Sequence, residues 1–571
     1  MRVPLTAVTV VLLCGLLSPA APAQSAVPPQ NTIQQENAKP GVQSWNGPST
    51  SLIEMYASQI GVLPGDQIDV HVNTRPVGRY RISVYRLGWY GGAGGRLMTC
   101  VPSCGGDRAG QEQVQAWTNA VDGPPLRANW PVTDVVHTGT DWPSGYYELR
   151  AELTSGPDAG RGTTTYVIVR EPPGAHTSQI LVQVPVNTWE AYNQWGGKSL
   201  YDFEGPRARR VSFDRPWGKY ANSPLWWEIQ LVRFLEREGY DVSYQTDVDT
   251  DADPASLLRH RLVMTAGHDE YWTKTIRDAF DAALAAGTNL AFMGSNTAYG
   301  QVRYEDGGRT IVTYKEAALD PEPDPALKTT MFRQLDPTRP ECMIEGVQHR
   351  WQPPHQNGPH DYTVVAPAND PWLANTGLTP GSVLTDVVGD EWDALNPWPD
   401  ACIHPGITVL LHMGTQNPPA GDADAVRFTA PSGARVFASG AQRFSWGLDT
   451  FGTAAYGHQS APDPGLQQLV RNMLDDLTRP AAPKMVIRVP TPTGFRVRTG
   501  PSGDPRVADR LIYRIRNTDA PVLLCSGLRP CRVPPPSGPG TYVLQAVFVD
   551  AWGRASAPAY SAPLTIQLRQ R

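Results

Sequence analysis

Between residues 46 and 170 apolar and polar positions alternate in short runs. "QIDVHVNT", "YRISVYRLGWYGG" and "YYELRAELTS" each repeat with period two, and Gly, Pro and Asp separate them. Side chains on a strand point alternately to opposite faces, so these runs predict half-buried strands, and the regular turns between them predict a β-sandwich. "TTTYVIVREPP" closes the block on proline. The pattern then changes. "QILVQVPV" is continuously apolar, as expected of a strand covered on both faces. "PLWWEIQLVRFLEREGYDV" spaces Trp227, Leu231, Phe234 and Leu235 as a helix does and stops at Gly239. "YDVSYQ" and "HRLVMTAG" read as strands, "YWTKTIRDAFDAALAAG" as a helix and "TNLAFMGS" as a strand. This βαβαβ alternation predicts a mostly parallel sheet between helices. "GITVLLHMG", "ARVFASGAQ" and the helical "PGLQQLVRNMLDDLT" complete that domain, and the Pro-rich 320–400 reads as an insertion.

The fold class expected is therefore multidomain, α/β plus all-β. A β-sandwich spans 46–170, an α/β domain 171–480 and a small fibronectin type III-like sandwich 484–571. Residues 24–45, polar and Pro/Gln-rich, read as a flexible tether. Residues 1–23 hold one Arg, an apolar run and a small-residue "APA", the pattern of a cleaved secretory signal, too short for a spanning helix. The chain is thus expected outside the cytoplasm, with no membrane contact after cleavage.

Export changes the reading of the cysteines. Leaving out Cys14, six remain, and neighbours pair as Cys100–Cys104, Cys342–Cys402 and Cys525–Cys531; an even count in an exported chain predicts disulfides, with metal ligation as the alternative. The formal charge is −6, or −7 once the signal and its single Arg2 are gone, and no basic stripe appears, so nucleic acid is not an expected partner.

In an open parallel sheet, ligands bind beyond the carboxyl ends of strands. Three runs end in residues able to do chemistry. Asn187 and Tyr192 follow "QILVQVP", His268 and Glu270 follow "RLVMTAG", and Asn296 follows "NLAFMG". Singly each has a structural reading: a turn-capping Asn, a packed Tyr, a buried His, acids that complement a helix dipole. Their coincidence at strand ends points to one crevice, to which the aromatic, Gly-rich 187–203 would contribute as a loop. There is no G-x-S-x-G, no H-E-x-x-H, no cysteine after a sheet strand and no P-C-x-x-C to accompany His268-x-Glu270. A carboxylate among phenols is a hard, anionic donor set suited to ferric iron or another hard cation. A rival reading pairs Glu270 with Glu391 or Asp393 across a cleft as in glycoside hydrolysis, and the 17 Trp suit sugar binding. Another is a non-catalytic extracellular binding protein with a vestigial site.

"NTWEAYNQWGGKSLYDF", "GHDEYW", "GSNTAYGQVRYED" and "GDEWD" (389–393), with "YRISVYRLGWYGG" before them, resemble the N,N-dimethylformamidase large (beta) subunit-like family, notably its C-terminal domain, over roughly 50–480. The resemblance implies a glutamine-amidotransferase-like α/β domain and a mononuclear iron held by two tyrosines and a glutamate for amide hydrolysis. It makes Glu270 and Tyr192 ligands and His268 and Asn296 assisting residues. Tyr147 in "SGYYELR" is the favoured second tyrosine, with Tyr146 and Tyr201 as alternatives. Iron would polarise the amide carbonyl and acidify a bound water, His268 would protonate the leaving amine, and Asn296 would orient the substrate or steady the oxyanion. The substrate would be a small-molecule or polymer-linked amide. Export and the added C-terminal sandwich depart from what a small-amide hydrolase needs.

Overall fold

The computed structural model describes residues 31–480 apart from 115–120, 122, 174–176, 204, 219–222, 350–358, 396–401, 403 and 415–420. Beyond 484 it describes the strand-bearing segments between Met485 and Ile566. The signal-like 1–23 and the first part of the expected tether lie outside the described residues. The molecule is rich in β-structure, with several sheets and few helices.

The first sheet pair realises the alternating runs. Strands Ile53–Ala57, Gln67–Thr74 and Asp134–His137 form one sheet; Gly162–Val169, Gly145–Leu153, Arg79–Leu87 and Gly95–Val101 lie in the other, in that order. Val70, Val72, Ile82, Val84, Leu149 and Val167 fill the space between them. The opposite face of the second sheet carries Tyr85, Leu87, Tyr146, Tyr166 and Ile168, which join the core of the next domain. The period-two pattern thus hides a sheet buried on both faces.

That next domain is built on a nine-stranded sheet. Its parallel part runs Val242–Thr246, Ile180–Val184, Leu262–Gly267, Asn289–Gly294, Arg435–Ala438. Four antiparallel strands extend it: Ala423–Thr429, Thr408–Met413, His360–Val364 and Val383–Val388. The last two come from the stretch read as an insertion, so that stretch is structural sheet. From Ile180–Val184 the chain first goes to one neighbour, Val242–Thr246, and then to the other, Leu262–Gly267, so the order reverses there; crevices form at such reversals.

Several sequence readings are corrected. Residues 31–45 are folded: helix Thr32–Asn37 has a capping box at Asn31, Ile33 is buried, and Trp45 is buried with its indole N–H on the Ala93 carbonyl at 3.1 Å. Residues 186–192, read as loop, form a helix whose side chains are buried on nearly every side, so no apolar stripe marks it. Tyr271–Thr273 is a short strand, and the helix begins at Lys274, with the Thr273 hydroxyl accepting from the Ile276 amide at 3.1 Å. The disulfides Cys100–Cys104 and Cys342–Cys402 are present; the expected Cys525–Cys531 bond lies outside the described side chains. Among the described residues no helix is long and apolar enough to cross a membrane.

A buried ion pair joins the two domains. The Arg86 guanidinium, on a sandwich strand, donates to both oxygens of Glu236 on helix Ile229–Arg237, at 2.7 and 3.0 Å, and both side chains are fully buried. Asn37 donates to the same carboxylate at 2.8 Å. Removing one partner of such a pair strands a charge in the interior, which costs about 3–5 kcal/mol, whereas an apolar pair of similar volume is often tolerated. Glu236→Gln is expected to lower chemical unfolding stability by about that amount, and Arg86→Met with Glu236→Met to recover most of it.

Glu36 supplies a pH-dependent counterpart. Burial raises its pKa, but Arg86, Arg96, Lys39 and Tyr90 outweigh that and bring it down to about 2. A carboxyl lower in the folded state than its ordinary 4.5 stabilises above that pH and loses the contribution as pH falls toward the folded value. Hydrogen exchange of helix Thr32–Asn37 should therefore show intact protection at about pH 5 that declines toward about pH 2.5. Glu36→Gln should remove this dependence.

Candidate active site

Glu270 follows strand Leu262–Gly267 by three residues, and its backbone amide is fixed on the Thr188 hydroxyl at 2.9 Å. Two phenols converge on its carboxylate. Tyr192, at the end of helix Val186–Tyr192, donates to Oε2 at 3.0 Å. Tyr201 donates to Oε2 at 2.6 Å and to Oε1 at 2.8 Å. The two rings pack with centroids 4.2 Å apart, and Tyr271 donates to the Tyr201 hydroxyl at 2.7 Å. Burial, and then the Glu270 charge, push the pKa of Tyr192 and Tyr201 well above that of an ordinary phenol, so both hold their protons against the carboxylate.

A second group sits beside the first. His268 Nε2 lies 3.0 Å from Glu391 Oε2 and 3.4 Å from Glu270 Oε2. Asn296 Nδ2 donates to Glu391 at 2.8 Å and approaches His268 Nε2 at 3.4 Å; Gln442 donates to the same Glu391 oxygen at 2.9 Å. Burial disfavours the charged imidazole, but Glu391 and then Glu270 raise its pKa above the ordinary value. Burial likewise works against the Glu391 charge, yet His268, His349 and Asn296 bring that pKa down to about 2. Each group thus favours the charged form of the other.

The backbone builds this precision. Gly267, the last residue of its strand, turns the chain with φ +61°, and Asn296 has φ +53°, a region that asparagine visits more readily than most residues. Asp393 holds Asn296 there by accepting its amide hydrogen at 3.0 and 3.1 Å. Asp393 also lies 3.3 Å from His349. Lys315, at φ +60°, places Nζ 3.5 Å from the Tyr201 ring centroid; burial lowers its pKa to about 8 although Glu270 opposes this.

Four residues singled out by sequence thus meet: Tyr192, His268, Glu270 and Asn296. Tyr147 does not. Strand parity turns it into the sandwich core, where its ring stacks on Trp142 at 4.9 Å and its hydroxyl donates to the Pro143 carbonyl at 2.7 Å. Tyr146 points to the other domain and donates to Glu228 at 2.9 Å. The second phenol on Glu270 is Tyr201, the remaining alternative. Asn187 is spent on structure, donating to the Tyr271 carbonyl and accepting from Tyr304, both at 2.9 Å. Glu391 meets Glu270 around one imidazole nitrogen, and Asp393 turns toward Asn296 and His349. Sequence reasoning missed Lys315, Gln442 and Thr188. Thr188 lies inside "NTWEAYNQWGGKSLYDF" and Gln442 ends "ARVFASGAQ", but no spacing marks either, and Lys315 merely follows a short β-run.

Residues 81–460, more than half of the chain, match the family described as N,N-dimethylformamidase beta subunit-like, C-terminal. No curated protein matches at a significant level. Among solved structures, the chitinase ChiA74 from Bacillus thuringiensis aligns at 11% identity over 56% of this chain and 62% of its own, with a TM-score of 0.12. That alignment spans less than two thirds of the chitinase chain, and a likeness this weak carries no argument.

The strand ends behind His268 and Asn296 touch backbone to backbone. A Cβ on Gly294 would lie 1.7 Å from the Gly267 carbonyl oxygen, with no flexible side chain there to give way. Gly294→Ala is expected to force the two strand ends apart and to destabilise by about 1–3 kcal/mol or more, read as a lowered unfolding midpoint. A variant as stable as the parent would contradict this packing.

Proposed function

The chain belongs to the N,N-dimethylformamidase beta subunit-like family, and on that premise we propose that it hydrolyses a carbon–nitrogen amide bond at the Glu270 cluster. The observation that carries the reading is the convergence of the Tyr192 and Tyr201 hydroxyls on one carboxylate beside a paired imidazole.

The donors suit iron. His, Cys, Asp and Glu side chains alone form no group of three able to hold a metal among the described residues, so a cation here would rest on phenol oxygens together with Glu270. Two phenolates and a carboxylate would carry three negative charges, which matches a hard trivalent ion. Phenols with pKa values raised this far give up their protons only to a strong Lewis acid. Tyr192, Tyr201 and Glu270 would hold the ion, with Tyr201 in the place first given to Tyr147. When bound, it would supply Lewis-acid polarisation of the amide carbonyl and a more acidic water.

The remaining residues handle protons and position. His268, whose charged form Glu391 favours, is placed to give a proton to the departing amine. Glu391 then balances the imidazole as it gains and loses that proton. Asn296 fixes the Glu391 carboxylate through Nδ2 and presents its amide beside the imidazole for substrate orientation. Lys315 covers the Tyr201 ring and limits its movement. We read the protein as exported: the two disulfides among the described residues are of the kind that persist in oxidising compartments, and the signal-like 1–23 agrees.

Four variants test the reading by elemental analysis, visible absorption and hydrolysis of a panel of small amides. Glu270→Gln and Tyr201→Phe are expected to lose iron and activity, the second with the fold intact. Tyr147→Phe should keep both. His268→Ala should keep iron while turnover falls about 10²–10⁴-fold. A parent protein that binds no iron and cleaves no amide overturns the proposal, as does a Tyr201→Phe variant with full iron and full activity.

A further inference from the structure

A file of aromatic rings leads away from the imidazole. Trp227 meets His268 edge to face, with centroids 5.9 Å apart. Trp226 stands edge-on to Trp227 at 5.2 Å, and Tyr456 packs against Trp226 at 5.0 Å. Trp227 is buried, whereas Trp226 and Tyr456 are half-buried. Among the described residues neither the Trp226 indole N–H nor the Tyr456 hydroxyl has a hydrogen-bond partner. Core aromatics are normally covered, with their polar edges satisfied. Two partly open rings with unspent edges, reached from a candidate catalytic histidine through one further ring, are better suited to receiving a ligand.

The file is also held rigidly, and by the same turn that serves the chemistry. Trp227 donates its indole N–H to Asp390 at 3.0 Å, and Arg443 grips that carboxylate with two bonds of 2.9 and 2.8 Å. Asp390 has φ +64°, a left-handed conformation that its surroundings must enforce. The next residue is Glu391, the partner of His268. Farther along, Trp446 donates to the Trp226 carbonyl at 2.7 Å. Preorganised rings lose little entropy when a ligand stacks on them.

We propose that Trp227, Trp226 and Tyr456 form the subsite for the amine half of the substrate, and that this amine carries a ring. The assignment rests on the amide-hydrolase reading above. There His268 protonates the departing nitrogen, so the amine leaves beside the ring that touches His268. A dimethylamine-sized group placed at the imidazole would not extend past Trp227, and the faces of Trp226 and Tyr456 would stay wet. A ring would cover them, and polar groups on its rim would meet the indole N–H and the phenol. The substrate class is therefore an amide of a ring-bearing amine, aryl-alkyl or sugar-like, in contrast to a dialkylformamide.

The test uses the full-length metal-loaded protein and three acetamides that share one acyl group: N-methylacetamide, N-benzylacetamide and N-acetylglucosamine. The expected result is a KM at least about tenfold lower for one or both ring-bearing amides than for N-methylacetamide. Trp226→Ala should erase that advantage by raising KM for the ring-bearing amides well beyond any change for N-methylacetamide. Equal KM values across the series, or a Trp226→Ala variant with an unaltered preference, overturn the subsite. Calorimetric titration with benzylamine and with glucosamine reads the same subsite without turnover. Binding that weakens about tenfold in Trp226→Ala supports it even if none of the amides is cleaved, which would count against the hydrolase reading alone. Undetectable or unchanged binding of both amines, together with no ring preference, sinks it.

Discussion

Arg86 and Glu236 meet directly with both side chains shut off from solvent, and much of the molecule is referred to that contact. Two opposite charges in the interior tolerate little displacement, because separation exposes each to a medium that does not solvate it. The pair therefore sets how helix Ile229–Arg237 lies against the sandwich. Just before that helix, Glu228 accepts from Tyr146 of the sandwich at 2.9 Å and from the Trp189 indole at 2.8 Å. Trp189 sits on the same short helix as Tyr192. The chain of support thus runs from sandwich strand to ion pair, to helix, to a carboxyl whose pKa burial raises to about 8, and then to the helix that presents the first phenol. The sandwich is in this sense part of the site's foundation, although the Tyr147 assigned to the cluster from sequence faces the other way.

Within the site, two electrostatic solutions lie a few ångströms apart. Glu391 is met by the His268 imidazole and by the amide donors of Asn296 and Gln442. Glu270 is surrounded by phenols whose protons it restrains without removing. The first is a carboxylate whose polar partners are already in place. The second is a carboxylate beneath two phenols that point their protons at it. The contrast separates an imidazole-centred half of the cluster from a phenol-centred half.

The legible parts of the sequence were those with a period or a terminus. Alternation at "QIDVHVNT" and "YRISVYRL" marks strands because one face meets the sandwich core, and the apolar runs ending before Val186, His268 and Ser295 mark where the parallel strands stop. Those stops were enough to bring together Tyr192, His268, Glu270 and Asn296. What failed had no periodic signal. Helix Val186–Tyr192 is buried all round, so its pattern resembles a packed loop. Tyr146 and Tyr147 are adjacent, and only the domain interface decides which faces what. Tyr201 reaches Glu270 from an irregular turn, and Lys315, itself left-handed, reaches the Tyr201 ring; spacing alone encodes neither.

The Cys342–Cys402 bond closes a covalent loop of the chain, and Glu391, Asp390 and Asp393 all lie inside it. Cross-linking a loop of this length removes conformations mainly from the unfolded and locally opened ensembles. The partner of His268, the clamp on Trp227 and the anchor of Asn296 are thus delivered by a segment whose freedom depends on the oxidation state of two sulfurs. Completion of the site is tied to the redox environment in which the chain matures: where thiols stay reduced, the parallel strands can still present Glu270 and His268, but the residues that tune them arrive on an unclosed loop.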